Sequence, residues 1–348
     1  MQSPVKILND ELKLATTSKT SGSNWKNELA NATTSASQLL KKLQLEEQLT
    51  LIDEQPDFRC LATDSYISKM QRGNIDDPLL RQVLPLSAEN HLHIQSAGVY
   101  DPVGDSDAMA SPGLLHKYHG RALLISTGAC AIHCRYCFRR HYPYQQSSCN
   151  RNDLSEALSY LRQHPEIDEI ILSGGDPLVM DNEKLASLIQ QLENVTQLST
   201  LRIHTRLPVV LPDRIDEGLL QLLHSSRLLV VMVIHSNHAN ELQHNELSKL
   251  HLLHEAGISL LNQSVLLKGV NDDAATLITL SKRLLQCKTL PYYLHLLDPV
   301  TGAMHFDVNR QNALDIVKLM QQQLPGYLVP RLVQEISGKQ AKTAIFNI

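Results

Sequence analysis

From about residue 122 onward the chain alternates short aliphatic or β-branched runs with longer amphipathic stretches. Six runs read as strands, at residues 122–127, 169–173, 201–205, 229–235, 259–266 and 291–296. Helical spacing lies between them, as at 154–162, 182–192 and 214–224. Strands alternating with helices imply βαβ units and a mainly parallel sheet. Six units predict an α/β fold, a partial (β/α)6 TIM-like barrel. Cys130 follows the first strand, Gly174-Gly175-Asp176 the second and Arg206 the third. His235 ends the fourth, Gln263 lies in the fifth and Asp298 follows the sixth. Active sites of βα barrels collect at the C-terminal strand ends, so these residues are expected on one face.

The preceding 117 residues are polar, with helical pieces in between. Ser35 and Gln38 form a capping-box pattern ahead of Leu39, Leu40 and Leu43, and Asp77-Pro78 makes a cap and first-turn pair. Asp101-Pro102 and Ser111-Pro112-Gly113 mark turns. The region reads as a mainly helical, wrapping extension, with a Thr/Ser-rich start at 16–23. The expected organisation is an extension over 1–117, the barrel over 118–308, and a C-terminal helix with a lysine-bearing segment over 309–348.

A 348-residue chain that is 43% hydrophobic can bury a substantial core. Apolar runs such as 228–234 fall far short of the ~18–20 residues of a membrane span. The polar start around 9–19 has no apolar signal core, so a cytoplasmic location is expected. A net charge of −4 gives no general attraction to nucleic acid, although the local run Arg135, Arg139, Arg140, His141 could hold an anion. Three of the six cysteines crowd into one short stretch, which points to metal or catalysis rather than a disulfide framework. Cys60, Cys149 and Cys287 are isolated and read as ordinary thiols.

That stretch, Cys130-Ala131-Ile132-His133-Cys134-Arg135-Tyr136-Cys137, spaces three cysteines by three and two residues directly after a strand. Iron–sulfur clusters are normally held by four thiolates, so three leave one iron open. The competing zinc site would want four ligands, with His133 or His141 completing the set. The paired glycines of Ser173-Gly174-Gly175-Asp176-Pro177-Leu178 allow a close backbone approach to a ligand.

The cysteine motif, with Tyr136 before its last cysteine, resembles that of radical S-adenosylmethionine (SAM) enzymes. The glycine phrase is similar to their SAM-ammonium loop. Cys137-Phe138-Arg139-Arg140, residues 173–178, Asn262-Gln263-Ser264-Val265-Leu266-Leu267 and Pro291-Tyr292-Tyr293-Leu294 leading to Asp298 narrow the resemblance to the lysine 2,3-aminomutase family, over residues 101–343. Leu114-Leu115-His116-Lys117-Tyr118, Arg202-Ile203-His204 and the short C-terminus resemble the branch that supplies β-lysine for modifying translation elongation factor P.

The resemblance implies an isomerase, an L-lysine 2,3-aminomutase converting (S)-α-lysine to β-lysine, expected as the R isomer. It implies a [4Fe-4S] cluster on Cys130, Cys134 and Cys137, SAM, and pyridoxal 5′-phosphate (PLP). Gly174, Gly175, Asp176, His235, Gln263 and Tyr136 match the SAM side, and Tyr118, Arg121 and Lys117 the PLP phosphate. Lys342 matches the Schiff-base lysine, with Lys339 a rival because the surrounding segment keeps the family's length but loses most of its glycines. Arg139 matches the substrate-carboxylate clamp, where a guanidinium can bind both oxygens. Asp298 and Glu335 match two acids that take the distant ammonium, Glu335 replacing the family's aspartate. Expected partners are L-lysine, a flavodoxin or ferredoxin as electron donor and the ligase acting on elongation factor P, with no nucleic acid and no membrane. The alternatives are an aminomutase for glutamate or another amino acid, which paired acids would disfavour by repulsion, a non-catalytic cluster or zinc protein, and an RNA-modifying radical SAM enzyme.

Overall fold

A computed structural model of the chain describes residues 25–53, 55–143 and 151–346. The polar start, the Thr/Ser-rich stretch and Cys149 lie outside the described residues. One ten-stranded sheet organises them, its strands neighbouring each other in chain order. β1 (Met109–Ser111) and β2 (Leu114–Tyr118) lead antiparallel into β3 (Arg121–Thr127). The parallel run continues through β4 (Glu169–Gly174), β5 (Thr200–Thr205), β6 (Leu229–His235), β7 (Ser259–Val265), β8 (Leu290–His295) and β9 (Arg331–Gln334). β10 (Thr343–Ala344) returns antiparallel onto β9.

The six expected strands are thus β3 to β8, and their parallel order agrees with the expected partial barrel. β9 is a seventh parallel strand, pairing Tyr293 with Arg331 and His295 with Val333. Four residues are too few to show an alternation, so only the neighbouring strand reveals it. Residues 114–118, which carry part of the family resemblance, likewise form a strand.

Among the described residues six longer helices cover the sheet: α1 (Arg151–Gln163), α2 (Asn182–Glu193), α3 (Glu217–His224), α4 (His244–Glu255), α5 (Ala274–Gln286) and α6 (Arg310–Gln323). Asp181, Asp216, Asp273 and Asn309 cap α2, α3, α5 and α6, each accepting a backbone N–H at the third helical position. Such a cap stabilises by about 1 kcal/mol. Leu185, Ile189 and Leu192 of α2, and their counterparts on the other helices, pack against Leu201, Ile203, Met232 and Ile234. Each fully buried aliphatic side chain contributes about 1.5–3 kcal/mol. The strands spend one side-chain face on this shell, which leaves the alternate residues for the interior.

In the extension, Ser35 caps the helix Ala36–Lys42, and the Asp77 carboxylate accepts from Leu79 N at 2.8 Å and Leu80 N at 2.9 Å behind Pro78. The extension is bound to the barrel by Lys69, whose buried ammonium donates to Val209 O at 2.6 Å and to Glu246 at 2.8 Å. It also backs the cysteine loop: His133 N donates to Leu61 O at 3.0 Å and Arg135 N to Gln82 O at 2.8 Å. Among the described residues no helix is long and apolar enough to cross a membrane.

Candidate active site

The inward strand positions surround a cavity of about 300 Å³. Along β5 the pattern is Leu201 and Ile203 outward, Arg202 and His204 inward; along β7, Gln263 is inward while Asn262 and Ser264 turn away and bind Ser236. Of the residues singled out above for cofactor, substrate or metal, Cys130, Cys134, Cys137, Tyr136, Arg139, Gly174, Gly175, Asp176, His235, Gln263, Lys117, Tyr118, Arg121, Asp298, Glu335 and Lys342 line this cavity. Lys339 is exposed and outside it. The residues expected on one face, Cys130, Gly174, Gly175, Asp176, Arg206, His235, Gln263 and Asp298, all line the cavity. Arg121 opens β3 whereas Cys130 follows its end, and seven extended residues separate those positions by about 20 Å. The cavity therefore runs along the barrel rather than across its top.

At the cysteine end the backbone is drawn tight. Gly175 N donates to Thr127 O at 2.7 Å and Asp176 N to Ala129 O at 2.8 Å, joining the glycine loop to the segment that enters Cys130. A Cβ on Gly175 would fall 2.2 Å from Ala129 O, and Gly174, at φ +112°, would meet Thr127 O at 2.6 Å. The glycines are thus required by backbone approach, independently of any ligand. The Asp176 carboxylate is used within the protein: it accepts from Thr205 Oγ1 at 2.7 Å, Arg206 N at 2.6 Å, Leu207 N at 3.2 Å and Leu178 N at 3.1 Å. Burial nevertheless pushes it up to about 6.

Among the described residues no three His, Cys, Asp or Glu side chains gather tightly enough for a single ion. His133 Nδ1 is occupied by Arg59 O at 2.9 Å, and His141 Nε2 by Thr301 O at 3.2 Å. A zinc site needs four ligands closed around one metal, and the described residues gather no such set, although each histidine keeps its other ring nitrogen free among them. Three cysteines on one cavity wall fit a larger cluster. Burial pushes the Cys137 thiol up to about 11 and Cys130 well up, so loading them with iron must release protons.

The arginine run is not an open anion patch. Arg135 makes a two-pronged pair with Glu89 at 2.9 and 2.6 Å, and Arg140 reaches the same carboxylate at 3.2 Å. Arg139 instead turns to the cavity, where its Nε donates to Asp105 Oδ2 at 2.7 Å and its Nη1 to Ser173 Oγ at 3.2 Å. Asp105, which the sequence did not single out, is buried and also holds Lys117 at 2.7 Å. Although burial opposes it, the charges of Arg139 and Lys117 keep its carboxyl below the usual range.

Farther along, Glu335 accepts from Tyr118 Oη at 2.6 Å and Lys342 Nζ at 2.7 Å. Burial opposes its ionisation too, but Lys342 and Tyr118 hold it below the ordinary glutamate range. Asp298 differs. Its Oδ1 is buried with no partner among the described residues, and burial pushes the carboxyl up to about 7. The guanidinium of Arg121 lies 4.7 Å from the Tyr118 ring centre, and Arg202 joins them on the cavity wall with a buried Nε that has no partner among the described residues. His204 and His295 also face inward, both kept neutral chiefly by burial. Arg202, His204 and His295 were legible as polar residues at every second position of otherwise apolar strands. Asp105, in a turn, carried no such signal.

A family model described as the radical SAM superfamily matches residues 124–280. Across nearly the whole length the chain is similar to three proteins named L-lysine 2,3-aminomutase. That of Escherichia coli (strain K12) is 42% identical over 335 residues, covering 95% of this chain and 97% of the relative. That of Haemophilus influenzae is 46% identical over 323 residues, covering 92% and 95%. That of Buchnera aphidicola is 40% identical over 345 residues, covering 97% and 98%.

Proposed function

Because the chain belongs to the lysine 2,3-aminomutase family of radical SAM enzymes, whose named aminomutases are isomerases, we propose that it moves the α-amino group of L-lysine to C3 and forms β-lysine. The observation that carries this reading is one cavity presenting three cysteines, an arginine, a lysine and a buried carboxylate oxygen lacking a partner among the described residues. Family membership implies a [4Fe-4S] cluster with SAM as radical source and PLP as carrier of the migrating nitrogen.

Cys130, Cys134 and Cys137 would hold the cluster. Lys342 would hold PLP, with Tyr118, Arg121, Lys117 and Arg202 around its phosphate. Arg139, aimed by Asp105, binds the substrate carboxylate. Asp298 takes the ε-ammonium, whose charge supplies what the buried Oδ1 lacks. In the free protein Glu335 holds the Lys342 ammonium in the cavity; once Lys342 is committed to PLP, Glu335 Oε2 is released to share the substrate cation. An acid at this end repels a glutamate side chain, which favours lysine over the glutamate alternative. Gly174, Gly175, His235, Gln263 and Tyr136 shape the SAM side, while Asp176 braces that loop.

The product is proposed as the R isomer, delivered to the ligase that modifies elongation factor P, with electrons from a flavodoxin or ferredoxin. The phrases at residues 114–118 and 202–204 support that placement. The test is anaerobic: reconstituted protein with PLP, SAM, dithionite and L-lysine should form β-lysine, resolved by chiral chromatography with mass detection. Formation lost in Cys134→Ala and Lys342→Ala supports the reading. SAM cleavage with lysine untouched would overturn the substrate assignment.

A further inference from the structure

Beside the cysteine loop lies a buried charge pair with no place in the roles above. Arg206, at the end of β5, is 6% exposed, and its Nη1 donates to Cys134 Sγ at 2.7 Å. Its Nη2 pairs with Glu241 Oε2 at 2.9 Å, and Glu241 is fully buried. The orientation is held by several further hydrogen bonds, although Arg206 Nε is buried with no partner among the described residues. Glu241 accepts from Asn237 N at 2.8 Å, His238 N at 2.9 Å and Gln82 Nε2 at 3.2 Å. Arg206 also donates to Gln82 Oε1 at 2.7 Å, Tyr136 Oη at 2.9 Å and Tyr66 Oη at 3.2 Å, and its own backbone N–H is taken by Asp176. Tyr136 Oη is in turn 2.8 Å from His235 Nε2.

Burying two charges costs several kcal/mol per ion, and an apolar pair of similar size would often hold a fold as well. What this pair does that an apolar one cannot is to point the positive end of a fixed dipole at one thiolate sulfur. Iron–sulfur potentials respond to hydrogen bonds on the sulfurs and to nearby charge. We infer that the Arg206–Glu241 pair sets the reduction potential of the cluster held through Cys134, with Arg206 raising it and Glu241 moderating that effect. Arg206 is therefore a positioning and tuning residue, and the inference rests on the cluster reading proposed above.

The test is a dithionite titration of reconstituted full-length protein with redox mediators, followed by electron paramagnetic resonance in the absence of SAM, PLP and lysine. Iron and sulfide content are measured first. Arg206→Gln should shift the one-electron equilibrium about tenfold toward the oxidised cluster, about 59 mV. Glu241→Gln should shift it in the opposite direction. If Arg206→Gln fails to retain iron, Glu241→Gln carries the test alone through the sign of its shift. Potentials unchanged in both variants, or moved in the same direction, would overturn the inference. Failure of the wild-type protein to assemble a cluster would instead refute the reading on which it rests.

Discussion

Asp298 allows the sharpest prediction, because its geometry and its protonation make the same demand. Burial raises its carboxyl to about 7, Lys342 opposes this and Glu335 adds to it, so near neutrality about half the molecules carry the acid form. A lysine ammonium is matched only by the carboxylate, so binding and deprotonation are linked. Each pH unit below 7 should therefore cost roughly 1.4 kcal/mol, a tenfold rise in KM, flattening above pH 8. The stability sign is opposite. A carboxyl raised in the folded state stabilises fully below its unfolded value of 3.8, and this is lost as pH rises through about 7. The loss is at most about 4 kcal/mol, reduced by water in the cavity. Asp298→Asn should thus melt higher than wild type at pH 8, yet lose about 2–5 kcal/mol of substrate binding, at least roughly 30-fold in kcat/KM. The assays are anaerobic β-lysine formation and thermal melts at pH 6, 7 and 8. A wild-type KM that is flat over that range, or an Asp298→Asn variant that melts lower than wild type at pH 8, would refute the argument.

Gly175→Ala forces a methyl to within 2.2 Å of Ala129 O; it should cost about 1–3 kcal/mol and lower the iron bound after reconstitution. Asp105→Asn leaves Arg139 and Lys117 without their shared buried carboxylate, and should cost about 3–5 kcal/mol in stability while raising KM for lysine more than it lowers kcat. Lys342→Ala should abolish the visible absorbance of bound PLP, whereas the exposed Lys339→Ala should retain it. Lys69→Met strands Glu246 in the interior, and a loss of about 3–5 kcal/mol is expected in urea melts.

The strand–helix alternation made β3 to β8 legible to within about one residue, because each strand is long enough to show its run and is bounded by turn residues. Ser35 and Asp77 were legible as caps for a similar reason: a cap acts on backbone two or three residues away. The cysteine triad and the paired glycines could be read as well, since both are written in contiguous residues, whereas Arg139 and Asp298 were given their roles through the family resemblance. β9 could not, because four residues acquire strand character only through pairing with β8. Nor could the roles of Asp105, Glu89 and Glu241, which are single acids in ordinary stretches until folding sets each within hydrogen-bond reach of an arginine 34 to 51 residues away. Local pattern thus decided the elements and the contiguous cysteine and glycine motifs. The partners of each buried charge were decided by tertiary structure alone, because burying an ion demands compensation and the chain supplies it from distant segments.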